Sequence, residues 1–283
     1  MSPDQTVETA CRTLARDHYE NFPVASLLLP RRLRRAVSVI YAFARTADDF
    51  ADEGNIPPVQ RLALIQNYRT QLDALRAEAQ PQDRLFTALA EVVREHNLSL
   101  APFYDLLSAF QQDVTKMQYA DSAEVLDYCS RSANPIGHIL LQLYRADSPD
   151  NRALSDCICT ALQLINFLQD IKTDYAHGRI YIPFDAMQRF GVSVQNIAAR
   201  HTDGCWRAMI AAEIRHARTL LRRGAPLAKT LGGRVGVELR FVLAGGFCVL
   251  TKLDRQNRKG LVGGARLGPL DWLRILPLAA SVV

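Results

Sequence analysis

Apolar residues recur every three to four positions along most of this chain, which is the spacing of one buried face of an α-helix. No segment shows a convincing strand alternation, and no internal repeat or linker divides the sequence. The predicted helices cover residues 6–21, 31–53, 59–79, 82–96, 102–117, 123–144, 151–176, 195–223 and 225–257. We therefore predict an all-α fold, a helical bundle formed by a single domain over residues 1–283.

The composition fits such a bundle and leaves the partner open. With 48% hydrophobic and 22% charged residues, the chain can form a substantial core. The net charge of +5 suits an anionic substrate, an acidic membrane surface or a nucleic acid, and it is too diffuse to choose among them. The six cysteines form no CxxC pair, which argues against a zinc site and suits reduced thiols in the cytosol.

The sequence carries neither a leader nor a membrane span that we recognise. Residues 1–10 lack the basic and apolar regions of a signal peptide. The longest apolar run, residues 241–250, is shorter than the roughly 20 residues that a spanning helix needs. We expect a cytoplasmic protein, or one that lies peripherally on the inner face of the membrane.

Two predicted helices end in acidic residues, which is unfavourable because the C-terminal end of a helix carries partial negative charge. They end with AFARTADDFADEG, residues 42–54, and NFLQDIKTDYAHG, residues 166–178. At about 100° per residue, the polar side chains of each helix fall on one face. The first face carries Tyr41, Arg45, Asp48 and Asp52, and the second carries Gln163, Asn166, Asp170 and Asp174. Like charges four residues apart repel, so both helix ends give up local stability.

Local conflicts of this kind tend to mark functional sites. The alternative is a pair of solvated helix ends, but two ends with the same spacing, each beside amide or basic side chains, are less easily explained that way. Carboxylate oxygens on two helices suit Mg²⁺, which binds a few protein acids and keeps waters or substrate phosphates. The residues thus indicate a Mg²⁺ site for a diphosphate.

Residues 41–53, YAFARTADDFADE, and residues 163–183, QLINFLQDIKTDYAHGRIYIP, resemble the two aspartate-rich signatures of the squalene and phytoene synthase family. The likeness extends over residues 17–183 and continues more weakly beyond them. It implies an all-α isoprenoid synthase bundle with a central cavity. Members of that family ionise prenyl diphosphates with Mg²⁺ held by these aspartates.

The resemblance assigns roles by position. The implied metal ligands are Asp48, Asp52, Asn166, Asp170 and Asp174. The implied substrate-binding residues are Phe22, Tyr41, Arg45, Gln163, Gln169, Arg179 and Tyr181. Of these, Tyr41 and Arg45 are also candidate catalytic groups, whereas Arg179 and Tyr181 could equally well pack the loop that they occupy.

Three departures from the family pattern narrow the range of family activities that the resemblance implies for this chain. HYENF at residues 18–22 replaces a serine-rich HSxSF, Gln169 replaces the arginine of NILRD, and RSANPIG at residues 131–137 replaces RVAGxVG. These changes suit a site for one diphosphate better than a site for two. They resemble the bacterial branch of the family that takes presqualene diphosphate to hydroxysqualene. That reaction loses diphosphate, rearranges the cation and captures it with water. It needs no reductant, and the chain has no dinucleotide fingerprint.

The segment SANPIG, residues 132–137, interrupts a predicted helix and supplies a third candidate catalytic residue, Asn134. Pro135 has no N–H, so the carbonyl of Arg131 loses its helical partner. That carbonyl and the Asn134 amide could hold one ordered water to capture the cation. The alternative is a structural kink whose asparagine faces solvent.

Two other functions stay open, namely a condensing synthase that joins two prenyl diphosphates, and a non-catalytic family member that acts as an assembly factor. The second is disfavoured because the aspartates are intact. Besides a prenyl diphosphate, we expect weak binding to an anionic membrane surface and contact with neighbouring enzymes of the squalene pathway, but no nucleic acid. The apolar tail, residues 272–278, would either dock on the bundle or enter the membrane.

Overall fold

The predicted all-α fold is confirmed by a computed structural model. The residues that the structure describes are 29–54, 56–199 and 202–281. Their helices, in chain order, are α1 Arg34–Asp52, α2 Pro58–Arg76, α3 Arg84–His96, α4 Ala101–Asp113, α5 Ser122–Ser132, α6 Asn134–Leu143, α7 Pro149–Ala176, α8 Phe184–Arg189, α9 Val194–Ala198, α10 Gly204–Gly224, α11 Leu227–Leu231, α12 Gly233–Arg258 and α13 Trp272–Ser281. Apart from an isolated bridge between Gln118 and Ile180, these residues contain no β-structure.

The described residues form two compact units. The first unit comprises residues 29–54, 56–115 and 135–148. The second unit comprises residues 116–134, 149–199 and 202–281. The first acidic helix end lies in the first unit, and the second lies in the second unit.

The first unit is built around α1. Phe43 on this helix is fully buried, and its ring contacts Tyr68 of α2, Phe86 of α3 and Phe103 of α4 at centroid distances of 5.6, 5.8 and 5.3 Å. Contacts of this kind add to the burial of apolar area because the rings meet at favourable angles. The helix ends where Gly54 adopts a positive φ of 76°, as its sequence predicts. Because the apolar face of α1 is packed into this core, the rotation of the helix is fixed, and with it the direction in which the polar face points.

The second unit is built around α7, which packs against α10 and α12. The approach of α10 is close enough to require a glycine. A Cβ atom at Gly224 would lie 2.4 Å from Cγ1 of Ile158 and 2.7 Å from the carbonyl oxygen of Leu154. This packing holds the long helix that carries the second acidic row.

The predicted helix over residues 123–144 is wrong in one respect, because the structure divides it into α5 and α6 at Ala133. Pro135 is the second residue of α6, a position where a missing N–H costs little because the first turn of a helix leaves its N–H groups unpaired. The proline therefore starts a helix, whereas the sequence analysis placed it inside one.

Two more predicted helices are divided for identifiable reasons. Residues 195–223 form α9 and α10, because the side chain of Asp203 accepts a hydrogen bond from the backbone N–H of Trp206 and starts a new helix. Residues 225–257 form α11 and α12, separated by Gly232 and Gly233 with φ angles of 58° and 50°. Other boundaries agree to within a few residues.

Three further predictions concern the first helix, the number of domains and the absence of a membrane span. The predicted helix over residues 6–21 lies outside the described residues. The prediction of a single domain stays a prediction. In the part of the chain that the structure describes, we find no helix that is both long enough and apolar enough to cross a membrane.

Candidate active site

The first acidic row lies on α1, where one arginine bridges several carboxylates. The guanidinium of Arg45 lies 3.6 Å from Asp48, 2.8 Å from Asp49 and 2.7 Å from Glu53. Arg45 therefore spans these acids rather than pairing with one of them. Tyr41 and Asp52 lie on the same helix, Tyr41 half-buried and Asp52 exposed.

Asp48 is the most perturbed carboxyl in this row. Partial burial and, after it, the neighbouring Asp52 raise its pKa to about 7, against the opposing effect of Arg45. Asp113 and Asp49 raise the pKa further, in that order. Asp113 ends α4 and is buried, and the sequence analysis does not select it. No local spacing on α1 could indicate that an acid of α4 adds to the row.

The second acidic row lies on α7 and is perturbed differently. Burial raises the pKa of Asp170, and the guanidinium of Arg266 opposes that rise. Among the residues that the structure describes, no carboxylate contributes to this shift, so the repulsion that the sequence predicts between Asp170 and Asp174 is not its cause. Asn166 is exposed and Gln163 is half-buried. Arg266 is a residue that the sequence analysis misses.

The segment before α13 is held against the end of α7 by Gln169. The Nε2 group of this buried side chain donates a hydrogen bond to the carbonyl of Ala265, and the Gln169 carbonyl accepts one from the N–H of Gly264 at 2.6 Å. A Cβ atom at Gly263, where φ is 58°, would lie 2.5 Å from that same carbonyl oxygen. The sequence predicts that Gln169 binds substrate, and this stays a prediction. In the structure its amide donates to the loop, and the loop brings Arg266 near Asp170.

Arg179 and Tyr181 follow the glycine that ends α7. A small cleft between them and α7 is lined by Asp174, Arg179 and Tyr181 together with apolar side chains. The ring of Tyr181 stacks on Phe167 with a centroid distance of 3.9 Å and an interplanar angle of 5°. The structure thus brings Arg179 and Tyr181 to one acid of the second row and gives Tyr181 a packing role as well.

Asn134 is buried, which contradicts the alternative that it faces solvent. Its Oδ1 atom accepts a hydrogen bond from the hydroxyl of Thr160, also buried, at 3.0 Å. The two side chains therefore form a polar pair in the interior of the second unit. Phe22, another predicted substrate contact, lies outside the described residues.

Neither acidic row forms a closed metal cage. Within residues 29–54, 56–199 and 202–281, no group of three or more His, Cys, Asp or Glu side chains is arranged to hold a metal ion. Two clefts in the second unit, including the one beside Arg179, have cavity volumes of about 20 and 10 Å³, room for roughly one water molecule each.

The sequence pattern of the squalene/phytoene synthase family matches residues 15–272. The chain belongs to this family. The match includes both acidic rows, and it confirms the resemblance on which their assignment rests. Members of this family process prenyl diphosphates, and the present member is a prenyl diphosphate-processing enzyme.

Several relatives within the family are similar over most of their length. A hydroxysqualene synthase of Zymomonas mobilis is 34% identical, over 79% of this chain and 75% of its own. One from Rhodopseudomonas palustris is 31% identical, over 90% of this chain and 85% of its own. Among solved structures, the squalene synthase HpnC of Alicyclobacillus acidocaldarius is 35% identical with a TM-score of 0.83, covering 90% of this chain and 95% of its own. These similarities confirm the isoprenoid synthase fold, whereas its central cavity stays a prediction here.

Proposed function

We propose that this member of the family is a hydroxysqualene synthase. It would take presqualene diphosphate, release diphosphate, rearrange the resulting cation and capture it with water. Similarity to hydroxysqualene synthases at 31–34% identity supports the choice of branch. The observation that carries the chemistry is the Asp48 carboxyl, whose pKa is raised to about 7 by burial and, after it, by neighbouring acids. Burial and like charge both disfavour the ionised carboxylate, and a bound cation would relieve both effects.

Mg²⁺ is the cation that these donors fit. Carboxylate and amide oxygens are the ligands that it prefers, and it needs only a few of them because substrate phosphates and waters complete its shell. The proposed ligands are Asp48, Asp52, Asn166, Asp170 and Asp174. When bound, the ion would neutralise the charge that develops on the departing diphosphate.

The cationic side chains of each row have a separate task. On α1, Arg45 keeps the acids from repelling one another and offers a guanidinium to a diphosphate oxygen. On the second unit, Arg179 and Arg266 supply positive charge near Asp174 and Asp170. Other members of the family usually carry an arginine at the position of Gln169. In this chain Arg266 would provide the positive charge that such an arginine provides there.

Water capture is the step that we assign to Asn134 and Thr160. A buried amide and hydroxyl can hold a water molecule in apolar surroundings, where an unpaired polar group would otherwise be unfavourable. An amide is not a base, so the proton lost by the captured water has to leave with another group, and the released diphosphate is a base that the reaction itself supplies.

This assignment predicts a change in product rather than a loss of turnover. Replacing Thr160 by Val and Asn134 by Leu removes both polar groups, and product analysis should show a shift from hydroxysqualene to eliminated or rearranged hydrocarbons. Diphosphate release, measured in the same samples, should continue. If the double variant releases diphosphate and still makes hydroxysqualene as its sole product, another group delivers the water.

The direct test of the proposed function uses presqualene diphosphate and Mg²⁺ without NADPH. The expected product is hydroxysqualene, with one diphosphate released per turnover. A protein that is well folded by circular dichroism yet releases no diphosphate from this substrate would contradict the proposal.

Two similarities favour a second candidate, a condensing synthase. A solved structure at 35% identity is called a squalene synthase, and a phytoene synthase of Mycobacterium tuberculosis is 32% identical over 66% of this chain. Incubation with farnesyl diphosphate alone separates the two candidates. A hydroxysqualene synthase should leave that compound unjoined, whereas a condensing synthase would convert it to presqualene diphosphate or a C30 hydrocarbon.

A further inference from the structure

The helix α13 and the turn before it have two faces with different surroundings. Ile275 and Ala279 are buried against Ala244 and Cys248 of α12. Three leucines on the other side are largely exposed to solvent. The exposed fractions are 80% for Leu270, 72% for Leu273 and 55% for Leu276. One face therefore docks on the second unit, and the other presents large apolar side chains to the surroundings.

The exposure of the leucines is fixed by contacts that anchor the helix. Asp271 is buried and pairs with Lys252 of α12, and its Oδ2 atom accepts a hydrogen bond from the N–H of Gly268 at 2.6 Å. Lys252 also donates to the carbonyl of Arg266 at 2.6 Å. The turn is thus tied to α12 just before the helix begins, so the leucines cannot turn inward without breaking the Asp271–Lys252 ion pair.

The segment that carries this face is basic. Asp271 is the only acid between residues 255 and 281, and it is buried, whereas the exposed bases of the stretch are Arg255, Arg258, Lys259, Arg266 and Arg274. Arg258 pairs with Asp254, which precedes this stretch, whereas Arg274 lies on α13 itself, between Leu273 and Leu276. A second copy docking through the same face would bring Arg274 near its own equivalent. Anionic lipid headgroups complement this base, and apolar side chains beside bases are typical of helices that lie in a membrane interface.

We propose that Leu270, Leu273 and Leu276 insert into the surface of an anionic bilayer, with Arg274 of the same helix among its headgroups. At ten residues, α13 is about 15 Å long, which suits a helix lying in the interface rather than one crossing it. The proposal deepens the proposed function, on which it rests, because a long prenyl substrate and its alcohol product both partition into lipid. It also extends the sequence prediction for the tail, since the structure shows one face docked and the other available.

Vesicle co-sedimentation tests the proposal without substrate. The whole chain should bind vesicles that contain phosphatidylglycerol, bind phosphatidylcholine vesicles much less, and lose binding as salt rises. The variant Leu273→Ser/Leu276→Ser should lower the binding constant at least about tenfold, because it removes the exposed apolar area. Arg274→Glu should remove the preference for anionic vesicles. The control is Val59→Ser, an apolar residue 76% exposed on α2, which should bind like the unaltered protein.

Three outcomes would overturn the proposal. The unaltered protein could fail to sediment with anionic vesicles, the double-serine variant could bind as well as the control, or the double-serine variant could abolish a concentration-dependent dimer seen by analytical ultracentrifugation. The last result would assign the face to a second copy. Turnover of presqualene diphosphate dispersed in detergent separates this test from the proposed function, because detergent delivers the substrate without a bilayer.

Discussion

The two acidic rows look alike in sequence but differ in what surrounds their carboxyls. On α1, three other acids contribute to the pKa of Asp48, and one arginine of the same helix bridges the row. On α7, no other acid within the described part of the chain contributes to the pKa of Asp170, and the opposing arginine comes from a loop almost a hundred residues away. The first row is crowded by like charge, whereas the second is covered by a loop.

This difference shows that one spacing pattern can arise from two physical arrangements. An i, i+4 row of acids on a helix guarantees a shared face, but the free energy of each carboxyl depends on neighbours that the spacing does not specify. In the first row the conflict is mainly burial together with repulsion, and in the second it is burial alone. Both arrangements favour a bound cation.

The largest expected effect is the loss of turnover on removing one acid from either row. Asp48→Asn and Asp170→Asn should each lower the rate of diphosphate release by at least about a thousandfold, because a metal ion at a leaving group is worth several kcal/mol. The control is Asp254→Asn, which removes an acid from the i, i+4 pair with Arg258. If either row tolerates its substitution at full Mg²⁺-dependent rate, that row is not a metal site.

A smaller effect is expected from releasing the loop that covers the acidic row of α7, which should distinguish that row from the one on α1. Gln169→Glu keeps the shape of the side chain but replaces the donor to the Ala265 carbonyl with an acceptor. We expect a loss of about 1–3 kcal/mol in the free energy of unfolding. Hydrogen exchange at residues 263–268 should become faster, and kcat should fall more than KM rises.

The control for this prediction is Gln188→Glu, at an exposed position on α8. It adds the same charge without touching the loop and should leave both stability and exchange unchanged. If Gln169→Glu behaves like this control, the loop is held by other contacts and Gln169 is free for the substrate contact that the sequence predicts.

The smallest expected effect concerns pH in the absence of Mg²⁺. Because the pKa of Asp48 rises from 3.8 to about 7 on folding, the folded protein keeps a proton that the unfolded chain releases between these values. The free energy of unfolding should therefore fall as pH rises from about 4 to about 7, and Asp48→Asn should remove that part of the fall.

The sign of the change is testable by chemical denaturation in EDTA. The Asp48→Asn variant should match the unaltered protein at pH 4 and exceed it by about 1 kcal/mol at pH 8, a modest figure because 37% of the Asp48 side chain is exposed and screened by solvent. Asp170→Asn should gain less, since no acid repels Asp170. An equal gain for both variants would contradict the distinction between the rows.

Sequence periodicity predicts much of this molecule because its helices are long and amphipathic. The acidic rows are predictable for the same reason, since residues four apart on a helix share a face whatever the rest of the fold does. Asp113 and Arg266 are not predictable from the rows, because they come from other elements. The contact of Gln169 with the loop is also a tertiary contact. The sequence shows that a glutamine replaces the family arginine, but it cannot show that a loop carbonyl accepts a hydrogen bond from its amide.

The break at Ala133 illustrates a limit of another kind. A proline inside an apolar helical pattern is compatible with a kink, with a helix end or with a new helix start. The structure selects the last of these, and it buries Asn134 against Thr160 where the sequence left a solvent-facing side chain as an alternative. The sequence pattern cannot decide among the three, because it does not contain tertiary contacts such as the hydrogen bond from Thr160 to Asn134.

The measurement that tests the central claim most directly is calorimetric titration of the protein with inorganic diphosphate, with and without Mg²⁺. The claim is that both acidic rows hold Mg²⁺ for a diphosphate. The unaltered protein should bind diphosphate only with Mg²⁺ present, and both Asp48→Asn and Asp170→Asn should lose most of that binding while keeping their helical content. Unchanged Mg²⁺-dependent affinity in either variant, or tight binding by the unaltered protein in EDTA, would contradict the claim.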